Sequence, residues 1–188
     1  MPAPLEAAPE RRGGQPDWSA IYTCSRQEKK VAEQLQLRKI ECFLPLFSCE
    51  RNWGGRRARV ELPLFPGYVF VRPELSEVLR VLNLPGVVRM VSFGGKPARI
   101  TTREIEGIRT AVTHGGVEPW PWLAAGRRVR IKTGALAGLE GVVVRRKNRL
   151  RVVIALEVIM RAMSVEVDGG ELEPLASSPV AGRSSAIL

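Results

Sequence analysis

Residues 114–125, HGGVEPWPWLAA, set the strongest limit on what this chain can fold into. They hold two glycines and two prolines, and no helical or strand period survives such a run. The segment reads as a linker. It divides the chain into two bodies, 18–113 and 126–175, and 188 residues suffice for two small domains. The flanks, 1–17 and 176–188, are rich in Pro, Gly, Ala and Ser and read as disordered tails.

In the first body, WSAIYTC (18–24) is a short strand with β-branched and aromatic content. Ser25-Arg26-Gln27-Glu28 fits a capping box and opens a helix to about Lys39, with Val31, Ala32 and Leu35 buried. Residues 41–50 form a second strand, and RNWGGRRAR makes a hairpin tip around Gly54-Gly55. The return strand runs from Val60 to Leu64 and into FPGYVFV, bent at Pro66-Gly67. Beyond the bend, period two puts Tyr68 and Phe70 on one face and Val69 and Val71 on the other.

A short helix over 74–82 is predicted to bury Leu75, Val78 and Leu79, and 85–95 gives a further strand. Thr101-Thr102-Arg103-Glu104 is a second capping box, opening a helix to about Val112. The order β-α-β-β-α-β-α predicts an α+β fold, an antiparallel sheet with helices on one side. In the second body VRIK, GVVVRR, LRVVIAL and SVEVD alternate with glycine turns, which predicts a small five-stranded β-barrel.

The formal charge of +10 and pI of about 10.4 favour a polyanionic partner. Three cysteines without a CxxC argue against a disulfide framework or a zinc site, so a reducing cytoplasm is expected. No apolar run approaches the length of a membrane span, and no signal-peptide core opens the chain. The one histidine, His114, lies in the linker, and neither a GxxxxGK[ST] loop nor a GxGxxG is present. No enzyme activity, metal or cofactor is expected.

Two segments stand out. LPLFPGYVFV (62–71) carries more large aromatics than a small core readily hides, so Phe65, Tyr68 and Phe70 are either a partner patch or ordinary core. VRIKTGALAGLEGVVVRRKNRLRVVIAL (129–156) is a strand–loop–strand unit punctuated by Gly134, Gly138 and Gly141.

Together these segments resemble the NusG transcription-factor family. WSAIYTCSRQEKKVAEQL resembles the opening strand and helix of its N-terminal domain, LPLFPGYVFV its signature strand and GVVRMVSFGGKPARI a later hairpin. Residues 129–168 resemble its C-terminal KOW barrel, and coverage is about 18–175. Ser19 stands where the family often has Tyr. PLFPGYVFV and KNRLRVVIAL look closer to specialised RfaH-like or UpxY-like paralogs than to the housekeeping factor.

The resemblance implies a monomeric elongation factor that suppresses pausing or termination. Tyr22, Phe65, Tyr68 and Phe70 match the patch that packs on the clamp helices of the largest RNA polymerase subunit. Arg26, Lys29 and Lys30, with Arg51, Arg56, Arg57 and Arg59 at the hairpin tip, would meet non-template or upstream DNA. The KOW barrel would take a small-subunit ribosomal protein or the Rho factor through Leu136, Ala137, Leu139 and Glu140, with Ile159 and Met160 opposite. The competing reading is a ribosome-associated or general RNA-binding KOW protein. In RfaH the second domain folds as a helical hairpin; the β-branched runs here predict strands instead.

Overall fold

The computed structural model describes residues 17–121, 126–146 and 149–175. Apart from Asp17, the expected tails lie outside the described residues. The first half comprises β1 (Ser19–Thr23), α1 (Glu28–Leu37), β2 (Cys42–Phe43), β3 (Leu46–Trp53), β4 (Arg56–Pro63), β5 (Tyr68–Val71), α2 (Val78–Leu82), β6 (Val87–Met90), β7 (Ser92–Phe93), β8 (Lys96–Pro97) and α3 (Thr102–His114). The second comprises β9 (Glu118–Trp120), β10 (Arg127–Ile131), β11 (Glu140–Arg146), β12 (Arg149–Leu156), β13 (Arg161–Val167) and β14 (Leu172–Pro174).

A four-stranded antiparallel sheet, β2-β5-β1-β6, organises the first half. Alternation along β5 works as the sequence predicts. Val69 and Val71 join Ile21, Val31, Leu35 and Val81 in one buried cluster, under α1 and α2. Phe70 points the other way and joins Trp18, Ala20, Ile105 and Ile108, under α3. The expectation of helices on one side is therefore corrected: α3 covers the opposite face. Its apolar stripe, Ile105, Ile108 and Ala111, needs a cover of its own, and the face of Trp18 and Phe70 supplies it.

The two capping boxes part company. Thr101 accepts from the Glu104 amide (3.2 Å) while the Glu104 carboxylate accepts from the Thr101 amide (2.8 Å), as predicted. At α1 the N-cap is Gln27, and no side chain caps the helix. Arg26 sits at φ 61°, and the buried Glu28 carboxylate accepts from the Gly67 amide at 2.7 Å. Glu28→Ala would leave that amide unsatisfied at a buried site. The expected loss is about 1–3 kcal/mol, checked by urea unfolding.

The second helix also departs from expectation. Leu75 and Leu79 are 92% and 71% exposed. The chain opens there with a 3-10 turn, Leu75–Glu77, capped by the reciprocal Glu74–Glu77 pair, and α-helical phase begins only at Val78. Val78, Val81 and Leu82 consequently face the core, while Leu75 and Leu79 rotate outward.

The second half is a six-stranded antiparallel sheet, β14-β10-β11-β12-β13-β9. Five of them, β10 to β14, lie within 126–175, the number predicted there, and no ladder joins β14 to β9 among the described residues. The extra strand, β9, comes from the segment read as linker. Pro119 is tolerated because β9 lies on the sheet edge, pairing with β13 alone. Residues 122–125 of that segment lie outside the described residues.

The two halves share one apolar cluster, in which Phe70, Ile105 and Ile108 meet Val129, Leu156 and Met163. Leu139, in the β10–β11 loop, seats against the bare backbone of Gly107 on α3. A Cβ at Gly107 would lie 2.7 Å from the Leu139 Cδ2. Beside it the Arg103 guanidinium donates to the Gly138 carbonyl at 3.5 Å.

Candidate functional site

The bend at residues 65–68 builds the site. Pro66 presets its own φ, Gly67 stands at φ 85°, and the Tyr68 amide donates to the Phe65 carbonyl at 3.1 Å. This is the residue pattern of a type II turn, which requires positive φ at its third position. The Glu28 carboxylate holds the Gly67 amide, and the Gly67 carbonyl accepts from the Thr23 amide at 2.8 Å. The turn is thus pinned to β1 and α1 together.

Pinning the turn places Tyr22 beside Tyr68. The two are cross-strand partners, with ring centroids 5.4 Å apart and planes tilted by 58°. Tyr22 also lies over Gly67, where an added Cβ would come within 3.0 Å of its Cε2. Cations flank both rings: Arg89 sits over Tyr22 at 5.7 Å and Arg161, from β13, over Tyr68 at 5.8 Å. Tyr22 is 36% exposed and Tyr68 is half-buried.

Phe65 and Phe70 behave differently. Both are buried, edge to face at 5.9 Å, and Phe43 stacks on Phe70 at 6.2 Å. Of the four predicted patch aromatics, two reach the surface and two form the floor beneath them. The apolar pattern alone could not separate these roles, because Phe70 shares the face of Tyr68 but lies where α3 closes over the sheet.

The predicted basic residues fall into two groups. Arg26, Lys29 and Lys30 are exposed at the start of α1, and the Lys29 ammonium donates to the Glu61 carbonyl on β4 at 2.9 Å. Arg51, Arg57 and Arg59 are exposed on the β3–β4 ribbon, which stands apart from the main sheet, and Arg56 opens β4. None of Arg51, Arg57 and Arg59 makes an ion pair with another described residue, so their charge stays available to an anion.

On the second half, Leu136 and Ile159 are buried while Ala137, Glu140 and Met160 are exposed. Leu139 is partly buried against the shared cluster. The Arg130 guanidinium, hydrogen-bonded to Glu140 at 2.6 Å, holds its carboxyl below the usual range, with Arg128 adding to the effect. Two cations that the sequence reading did not single out, Arg89 and Arg161, complete the aromatic site. Their only signal was position: Arg89 lies within the strand VVRM and Arg161 opens β13.

A family model described as transcription termination factor nusG matches residues 16–109, half of the chain. The chain belongs to the NusG family. The transcription termination/antitermination protein NusG of Escherichia coli (strain K12) is 28% identical over 187 residues, covering 90% of this chain and 99% of that protein. Its Pseudomonas aeruginosa counterpart is 29% identical over 171 residues, covering 83% and 97%. A solved structure of Thermotoga maritima NusG, which describes a domain interaction in that protein, superposes with a TM-score of 0.56 at 22% identity. It covers 85% of this chain and 97% of that one, and the likeness extends the NusG fold to both halves. The NusG relatives place the chain among transcription termination/antitermination factors.

Proposed function

We propose that this NusG-family chain is a cytoplasmic, non-enzymatic elongation factor that docks on the clamp helices of the largest RNA polymerase subunit and suppresses pausing or termination. The observation that carries the reading is the tyrosine pair, held at the surface by a turn pinned to β1 and α1. Aromatic rings on a rigid mount lose little entropy on binding and are common interface anchors. Phe65 and Phe70 support them from below. The cations of α1 and the β3–β4 ribbon lie ready for non-template or upstream DNA, an attraction that weakens as salt rises.

The second half serves as the KOW-type module, taking a ribosomal protein or Rho through Ala137, Leu139, Glu140 and Met160. Leu136 and Ile159 shape that surface from inside. Arg161 lies over Tyr68 and Leu139 is seated on Gly107, so each half covers part of the other's site. Both partners therefore require the halves to part.

Binding to immobilised polymerase tests the docking face. Tyr22→Ala with Tyr68→Ala should bind at least about tenfold more weakly than wild type, with a native circular dichroism spectrum and less pause suppression. Leu75→Ala, on a different exposed surface, should bind normally. Equal binding by the double tyrosine variant would remove the assignment.

A further inference from the structure

The segment that joins the halves is not free chain. Arg151 on β12 is 6% exposed, a rare place for a guanidinium. Its Nε donates to the Ser164 hydroxyl at 2.9 Å. Its Nη2 donates to the Ser164 carbonyl at 3.2 Å and to the Gly116 carbonyl at 2.5 Å. Glu118 and Glu166 approach it at 4.0 and 3.7 Å, and they pair outward with Arg146 and Arg149 respectively. Arg146 also lies over the Trp120 ring at 5.7 Å. Three hydrogen bonds and two carboxylates are the compensation that a buried charge requires. Two of these partners, Gly116 and Glu118, belong to the joining segment.

We infer that Arg151 clamps residues 116–120 to the second sheet, leaving the Gly115–Gly116 junction as the hinge and setting how far the halves can separate. The inference rests on the reading that they do separate. α3 closes at its C-terminus with the Gly115 amide donating to the Ala111 carbonyl at 3.1 Å, so the helix holds the chain up to that point. From Glu118 the β9–β13 ladder holds it again. Between them Gly115 and Gly116 stand at φ 86° and 68°, a region glycine enters at no steric cost.

The difference in reach is large. A two-residue tether spans about 7 Å, whereas the twelve residues 115–126, fully freed, would span about 40 Å. With the clamp shut, whatever binds the second half is held against the first. With the clamp open, it can be sought at a distance. Arg151 is thus a positioning residue with a long-range consequence. Its exposed outer pairs make the clamp sensitive to ionic strength, since such pairs are screened within roughly 10 Å at 0.1 M salt.

Hydrogen exchange on the free full-length protein tests this without polymerase, so failure of the docking reading and failure of the clamp are read separately. In wild type, the peptide spanning 115–121 should exchange far more slowly than an unstructured peptide. Glu118→Lys, which puts a cation beside Arg146 and Arg151 on an accessible edge, should speed exchange there about tenfold or more while β1 is unchanged. Arg151→Met should do the same, and Arg151→Lys, which keeps the charge but loses the fork, should fall between. Should Arg151→Met loosen β12 and β13 as a whole, Glu118→Lys decides. Wild-type exchange at the unstructured rate, or a Glu118→Lys protein as protected as wild type, overturns the clamp.

Discussion

Phe70→Ala will lower the stability of the first half by about 3–5 kcal/mol, and on the proposed function polymerase binding will fall with it because the proposed docking face loses its floor. Phe70 is completely buried. Phe65 meets it edge-on, Phe43 stacks against it, and it lies in the same cluster as Ile105 and Ile108 of α3. Truncation would open a cavity at the point where the sheet, α3 and the second half converge, and neighbours fixed by turns and ladders can collapse into it only partly. Urea unfolding gives the measurement, with a lower midpoint and an unchanged slope as the expected outcome. Tyr68→Ala makes the contrast. Its ring is half-buried at the surface, so its effect on folding should be smaller while its effect on binding remains. A Phe70→Ala protein with the wild-type midpoint and no polymerase binding would make Phe70 a direct contact instead.

This split between Phe70 and Tyr68 marks how far the sequence could be read. Period two correctly placed both on one face, because alternation is a local property of a strand. It could not say which part of that face another element would cover, because that depends on where α3 lands. The capping boxes teach the same lesson. Thr101–Glu104 and Ser25–Glu28 have the same spacing, and only the first closes on itself. Glu28 found a stronger claim in the Gly67 amide, 39 residues away in the chain.

The linker reading missed β9 for a different reason. Proline rules out interior strands but not edges, and Glu118–Trp120 within HGGVEPWPWLAA lies where an edge was available. Arg151 was in plain view, the second of two arginines in RLRVVIAL. Its acceptors, however, come from residues 116 and 164, and no short-range pattern connects them. The α+β order, the Pro66-Gly67 bend, the basic hairpin and the β-rich second half were legible because each depends on neighbours in the chain.

Gly141→Ala will destabilise the second half by about 3 kcal/mol, at the upper end for an overpacked site. Gly141 lies on β11, paired with Val129 of β10, and runs beside β12, its neighbour in the same sheet. A Cβ there would come within 2.2 Å of the Val153 carbonyl oxygen and 2.7 Å of the Val152 Cγ1. The obstacle is backbone, fixed by ladders on both sides, so relief requires shifting a strand rather than a rotamer. Gly107→Ala is the instructive comparison. Its Cβ would also come too close, at 2.7 Å, but to the tip of the Leu139 side chain, which can swing away. Gly107→Ala should therefore weaken the seating of the two halves and leave each folded. Gly141→Ala should speed exchange of amides across β10, β11 and β12, and also release Leu139, which lies two residues before it in the loop that seats on α3. The glycine that ends this loop is thus required by the close approach of the β12 backbone and not by a turn, since its φ is not positive. A Gly141→Ala protein with the wild-type unfolding midpoint would mean that β12 gives way to the added methyl without cost.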